Sequence, residues 1–401
     1  MPLQVLLTHP GTQYSYALAQ QLHRLQILQC FATGIAFGDN KTPMLPSKWK
    51  RRVVPGVPDE MIHRQWMTEM QWLWQKKFKG GNEATLLLRN EKFQENIPLP
   101  LMQQADAIIG FDTSSWILIQ RAHQAHKKLV LDASIAHPIE KEKVYEQLRR
   151  QYPAWQQNLI PKSDKQIDLE LQEMKTSNHI VAATSFTRNS YIAQGVDAHK
   201  ISINPYGIHL DYFTSKWDNQ QTSAPRKEIV FAFLGIISAR KGIPWLCQIW
   251  QAFHSRYPHT KLLLGGYGNF PDGVEIPKGI DVIGFIEPHQ RNAWLQQADV
   301  FVFPSFFEGF AQVIIEAMGC GLPVITTTST VGPEVIDEGV EGFVMTPGDD
   351  QALLNALTFF AQQPEAIETM GRAAREKVLP FTWNAYGDRY RGILEQVVKH
   401  G

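Results

Sequence analysis

FVFPSFFEGFAQVIIEAMGCG, residues 301–321, is the stretch on which the reading of this chain turns. Its first residues form an apolar run that reads as a buried strand ending at Pro304. A short loop follows with Glu308 and Gly309, and from about Ala311 to Met318 the pattern is helical. A loop feeding a helix N-terminus presents backbone N–H groups that lack intrahelical partners, at the positive end of the helix dipole, and this suits a diphosphate. Gly309 would let the backbone approach a ligand closely. Glu308 stands just before the helix and Glu316 about two turns into it. Carboxylates there suit sugar or ribose hydroxyls better than phosphate, because they accept hydrogen bonds and repel anions. Glu316 also lies within Val313-Ile314-Ile315-Glu316-Ala317-Met318, where a charge needs a buried partner or a ligand.

Outward from this stretch the same alternation recurs. Towards the C-terminus, strands are expected at Val324–Thr327 and Phe343–Thr346. Before it they fall at Ile229–Leu234, Lys261–Leu264 and Val282–Phe285, with a helix near Ile243–Phe253. The N-terminal half opens with Val5–Thr8, a Gly-containing turn at His9–Thr12, and a helical pattern through Tyr16, Leu18, Leu22 and Leu25. Further strands are expected at Ala107–Gly110, Leu129–Leu131, His179–Ala183 and Ile201–Asn204. Strand and helix in alternation argue for parallel sheets covered on both faces. The polar, aperiodic text at Trp217–Arg226 reads as a linker. The expected organisation is an α/β fold of two Rossmann-like, doubly wound domains facing across a cleft: residues 1–213, a linker at 214–227, and residues 228–380. Residues 381–401 should form a helix that returns towards the first domain.

Composition narrows the class. The 401 residues suit two domains, and 44% hydrophobic against 19% charged residues leave material for two cores. A formal net charge of zero gives no global pull towards nucleic acid. Cys30, Cys247 and Cys320 are far apart and odd in number, which suggests neither a disulfide framework nor a zinc site and suits a reducing cytoplasm. The opening MPLQVLLTHPG lacks a basic leader, and no apolar run approaches a membrane span. A cytoplasmic protein is therefore expected, at most peripheral on the inner face of a membrane.

The segment Glu308–Glu316 resembles the E-x7-E signature of glycosyltransferase family 4, also called group 1. The text around it is similar as well: ADVFVFPSFFEGF, EAMGCGLPVITT and GPEVIDEGVEGFVMTPGD, with FLGIISARKG, LLLGGYGNF and VIGFIEPHQRNAWLQQADV upstream. HIVAATSFTRNSYIAQGVDAHKISINPYGIHLDYF resembles the family's segment near the hinge. The resemblance is continuous from about Glu170 to Trp383 and only in outline before that. It implies the GT-B fold and transfer of a sugar, with retention at the anomeric carbon, from a nucleotide-diphosphate sugar to a glycan, lipid-linked or small-molecule acceptor. No metal or other cofactor is implied.

Carried over residue by residue, the resemblance puts Glu308 beside the donor sugar and Glu316 on the ribose hydroxyls. The backbone of Gly309, Phe310 and Ala311 would face sugar and diphosphate. Lys241 matches the family lysine, and Arg240 beside it would supply a second cation for the diphosphate. Ile236 stands where the family often has a further arginine. Gly266 should lie near the nucleotide, Ile283 and Phe285 near the base, and Gly11 should leave room for the diphosphate. His137, in LDASIAHP, resembles the family histidine near the reacting sugar. Asp112 and Thr113 are acceptor-side candidates. The catalytic set expected is thus Glu308, His137 and Lys241.

One window stands outside this pattern. Ser47–Gly80 holds Trp49, Trp66, Trp72 and Trp74, with eight Lys/Arg against three Asp/Glu. It could rest on an anionic membrane or grip an acidic or lipid-linked acceptor. The rivals to transfer are a sugar-nucleotide epimerase or phosphorylase on the same fold, and a sugar-nucleotide-binding protein without catalysis. A nicotinamide dehydrogenase would need G-x-G-x-x-G, and Gly266-Tyr267-Gly268 fails that pattern because Pro271 occupies the third glycine position.

Overall fold

The computed structural model describes residues 3–218, apart from 13 and 45, and residues 228–400. Two parallel sheets carry the chain. The first contains β1 (Val5–His9), β2 (Leu28–Thr33), β5 (Ile62–Arg64), β6 (Ala107–Phe111), β7 (Lys128–Ala133), β8 (His179–Ala182) and β9 (Ile201–Ile203). A two-residue pair, β3 (Phe37–Gly38) with β4 (Val53–Val54), stands apart from it. The second sheet holds β10 (Ile229–Leu234), β11 (Thr260–Gly265), β12 (Ile280–Gly284), β13 (Val300–Phe303), β14 (Val324–Thr327) and β15 (Gly342–Met345). Spatial order is β5-β2-β1-β6-β7-β8-β9 in the first and β12-β11-β10-β13-β14-β15 in the second. Both are doubly wound: the chain moves outward on one side of the opening strand, then returns to its other side. Strands such as β1, β6 and β13 are buried along their length, as a sheet covered by helices on both faces requires.

The sequence reading missed β2 and β5 and displaced β12. The first helix, Ser15–Arg24, stops where Gln26 turns left-handed at φ 59°, with the Ile27 amide bonding back to the Leu22 carbonyl. That is a glycine-type helix ending without the glycine, so the apolar text runs on into β2 with no visible stop. β12 is an edge strand in which Ile280 is buried while Val282 and Ile283 are exposed, so the apolar run lies off its centre and Phe285 falls outside it.

The linker also begins later than 214. Trp217 is buried and donates its indole N–H to the Gly321 carbonyl, and the Thr214 amide bonds Asn292, so residues 214–218 dock on the second domain. The rest of the expected linker, 219–227, lies outside the described residues.

The chain crosses between domains twice, side by side. The Ile208 amide donates to the Phe381 carbonyl, and a Cβ added to Gly207 would meet the Trp383 amide nitrogen at 2.3 Å. The last helix, Trp383–His400, then packs on the helix Ser15–Arg24. Arg24 pairs with Asp388 at 2.7 Å, and Arg389 donates to Asn204 at 2.8 Å. Gly387 packs so closely on Gln21 that an added Cβ would lie 2.6 Å from the glutamine Cβ. Cys30, Cys247 and Cys320 are buried and free. Among the described residues no helix is long and apolar enough to cross a membrane.

Candidate active site

In doubly wound sheets the crevice lies at the carboxyl ends of the strands where the order reverses. Here those points are β1/β6 and β10/β13, and they face each other. Pro10, Gly11, Asp112 and Thr113 follow the first pair; Gly235 to Lys241 and Pro304 to Ala311 follow the second. Between the domains is a cavity of about 440 Å³. Tyr14, Ser134 and Ile135 line it from the first domain and Tyr206 from the crossover. Arg240, Lys241, Arg291, Glu308 and Glu316 line it from the second.

Two loops of the second domain are locked together beneath it. Gly242 adopts φ 77° at the start of the helix Ile243–Arg256, and a Cβ there would lie 2.0 Å from the Pro304 carbonyl oxygen. Only glycine allows this approach, which brings Arg240 and Lys241 over the loop after β13. Glu308 Oε1 receives Lys241 Nζ at 2.5 Å, Arg240 Nη1 at 3.0 Å and the Ser305 hydroxyl at 2.7 Å. Among the described residues no hydrogen bond reaches its Oε2. Burial works against the charge on Glu308, but Lys241 and Arg240 outweigh it and hold the carboxyl below its ordinary range. Burial is also the main force on Lys241, lowering its pKa against the attraction of Glu308.

The helix Gln312–Gly319 enters at Ala311, a left-handed residue (φ 68°) that provides no side-chain cap. Its first backbone N–H groups are therefore left at the cavity, the usual make-up of an anion site. Glu316, further along, is buried and takes Arg291 Nη1 on both oxygens, at 3.1 and 3.2 Å. Burial raises its pKa, and Arg291 opposes that rise. Arg291 was not singled out in the sequence; within EPHQRNAW it looks like a solvated helix residue, and only the fold sets it against Glu316.

Gly309 lines the cavity, yet its missing side chain serves the domain contact. An added Cβ would lie 1.9 Å from the Ser134 carbonyl oxygen, and the Gly309 carbonyl accepts from Thr184 and Thr187 at 3.1 and 3.3 Å. Phe310 and Ala311 line the cavity too, as does Ile236.

Other expected residues lie off the cavity. His137 is buried, takes the Ile139 amide on Nδ1 as a helix cap, and packs edge-on to Tyr191. Burial pushes its pKa down to about 4, so it is neutral near pH 7, and it is absent from the cavity lining. The neighbouring Ser134 and Ile135 reach the cavity in its place. Asp112 accepts from the Ser134 hydroxyl at 2.8 Å, the Thr113 amide donates to Glu173, and neither lines the cavity. Gly11 donates its amide to His9 Nδ1. Gly266 (φ 127°) packs against Gly235, where a Cβ would come within 1.9 Å of the carbonyl oxygen. Ile283 is exposed on the edge strand, and Phe285 stacks on Tyr267 at 4.3 Å in an exposed shelf. Among the described residues no group of three His, Cys, Asp or Glu side chains is arranged to hold a metal ion.

Residues 228–363 match the family model described as "Glycosyl transferases group 1". A D-inositol 3-phosphate glycosyltransferase of Kribbella flavida is 27% identical over 252 residues, which are 56% of this chain and 58% of that protein. The chain spans about half the length of the curated relatives it matches. Among solved structures, a sucrose-phosphate synthase from Thermosynechococcus elongatus aligns over 100% of both chains, with a TM-score of 0.64 and 17% identity. Anabaena HepE in complex with UDP and glucose aligns over 98% of this chain and 99% of its own, with a TM-score of 0.61 and 15% identity. The second domain is therefore similar in sequence to group 1 glycosyl transferases, and the whole chain shares the two-domain GT-B fold of these structures.

Proposed function

We propose that the protein is a retaining glycosyltransferase, moving a sugar from a nucleotide-diphosphate sugar to a hydroxyl of a glycan, lipid-linked or small-molecule acceptor. The observation that carries this reading is the state of Glu308. Lys241, Arg240 and Ser305 all meet it at Oε1, in a cleft between two domains, and among the described residues Oε2 takes no hydrogen bond. A carboxylate so anchored can accept a hydroxyl of the donor sugar without moving. On this reading the same two cations, with the uncapped start of the helix Gln312–Gly319, would neutralise a diphosphate as it leaves, and no metal ion is needed. Glu316 would accept the ribose hydroxyls. Retention is what the E-x7-E resemblance implies.

Uridine diphosphate sugars are the first donors to test, because the similarly folded HepE is a complex with UDP and glucose. Thermal shift against UDP, GDP, ADP and their sugar conjugates without added metal should give stabilisation by one nucleotide family. At a hundred times the dissociation constant this amounts to about 2.7 kcal/mol. The shift should vanish in Glu316→Ala and Lys241→Ala. Incubation of the stabilising donor with candidate acceptors, read by NMR of the anomeric proton, should then show product of unchanged configuration. Inverted product would refute retention. Failure of every nucleotide to stabilise a cooperatively melting protein would refute the donor site. Binding without turnover would favour a sugar-nucleotide-binding protein, the reading that exposed Ile236 in place of an arginine supports.

A further inference from the structure

The helix Trp66–Lys79 packs on the helix Glu83–Glu95 and turns its other side outward. Glu69 marks the inner side: it is buried and pairs with Arg89 at 2.8 Å, and Arg89 donates to the Pro10 carbonyl at the end of β1. The outer side carries Trp66, Met67, Met70, Trp74 and Phe78, between 41% and 87% exposed. At about 100° per residue these five fall within an arc of roughly 120°, one continuous stripe. No other helix among the described residues bears more than one exposed large hydrophobic residue. Scattered exposed apolar residues need no explanation, but a stripe on a single helix marks a surface that meets something.

The charge around the stripe narrows the partner. Lys76 and Lys77 are exposed on the same helix, and Lys50 and Arg51 are exposed on the segment ahead of it. Trp49 packs edge-on to Trp66 with ring centroids 6.4 Å apart, so that basic segment is anchored beside the stripe. Lys76 Nζ lies 5.1 Å from the Trp72 ring and Lys77 Nζ 5.3 Å from the Phe78 ring. Aromatic and methionine side chains with Lys77 inside the arc and Lys50 and Arg51 on the segment beside it match the boundary between lipid headgroups and acyl chains. There the apolar groups sink a few ångströms and the cations meet anionic headgroups.

We propose that this face docks the protein on an anionic phospholipid surface. Through Glu69 and Arg89 the docked helix is tied to the end of β1, so the membrane would lie beside the first-domain side of the cleft. The proposal is independent of the transferase reading, because docking needs no nucleotide.

Flotation of the full chain with vesicles tests it, using phosphatidylcholine alone and phosphatidylcholine with an equal part of phosphatidylglycerol, at low salt and without donor. Binding is expected to the mixed vesicles only, with a blue shift of tryptophan emission. Lys50→Ala with Lys77→Ala should weaken it about twenty-fivefold, at about a factor of five per lysine. Met67→Ser with Met70→Ser and Phe78→Ser should abolish it. Because these positions are exposed, both variants should melt as the parent does and keep any nucleotide-induced shift. The proposal is overturned if the parent floats with neither vesicle, floats equally with both, or if the serine variant binds unchanged. It is equally overturned if the parent is a dimer that the serine variant converts to monomer, because the stripe would then be covered by a second copy.

Discussion

Glu316 carries its charge where burial disfavours it, and Arg291 is the cation that answers. The pair spans helices that the sequence presents 25 residues apart. Glu316 itself was legible, because a lone acid inside Val313–Met318 asks for a partner. The partner was not, because Arg291 sits in polar text and is set against Glu316 only by how its helix packs. Removing it should raise the Glu316 pKa further. In Arg291→Ala, affinity for the stabilising nucleoside diphosphate should fall about tenfold near neutral pH, the scale of a hydrogen bond to a charged group. The deficit should widen as pH falls towards the raised pKa, where a protonated Glu316 accepts fewer hydroxyls. Calorimetric titration at about pH 8 and about pH 5.5 checks the sign; a deficit that narrows in acid would mean that Arg291 acts on something other than the charge of Glu316. His137 shows the opposite lesson. Its position after a strand suggested chemistry, yet its ring caps a helix and leaves Ser134 and Ile135 to reach the cavity.

At the scale of elements, the entry to the helix Gln312–Gly319 is the point of interest. Ala311 holds φ 68°, a conformation that costs an L-residue about 1 kcal/mol or more. In exchange the helix start faces the cleft with no side chain over its N–H groups. Ala311→Gly should relieve the strain and raise unfolding stability by about 1 kcal/mol, read from the midpoint of urea denaturation. Unchanged or lower stability would show that the strain is absent. The strand–loop–helix order here was readable from Phe301–Gly321, and so was the start of the helix to within one residue. The left-handed turn was not, because alanine gives no sign of it. The same blind spot hid the helix stop at Gln26 and with it β2.

For the molecule as a whole, the returning helix brings Tyr386 onto Asp132 of β7, with its hydroxyl 3.4 Å from the carboxyl. Asp132 is buried, and burial, reinforced by Asp112, raises its pKa from 3.8 to about 7. Between those values the folded protein binds a proton that the unfolded chain releases, so Asp132 makes stability fall as pH rises through this window. Asp132→Asn removes the dependence. Parent and variant should therefore diverge, with the parent losing ground from about pH 4 to about pH 7 and the difference levelling off above that. Melting temperatures of both proteins across this range test it, and parallel curves would mean that Asp132 titrates normally.

The sequence by itself determined the two doubly wound units, because buried parallel strands must read as short apolar runs between helices. It also marked the loops that end at the switch points, where glycines and charges interrupt those runs. Tertiary structure alone decided which of the marked residues meet. Arg240, Lys241 and Glu308 come together because Gly242 lets one loop pass against another, and Gly309 lies at the domain contact because Ser134 of the first domain packs against it. Such approaches depend on backbone positions far apart in the chain, which local periodicity does not encode.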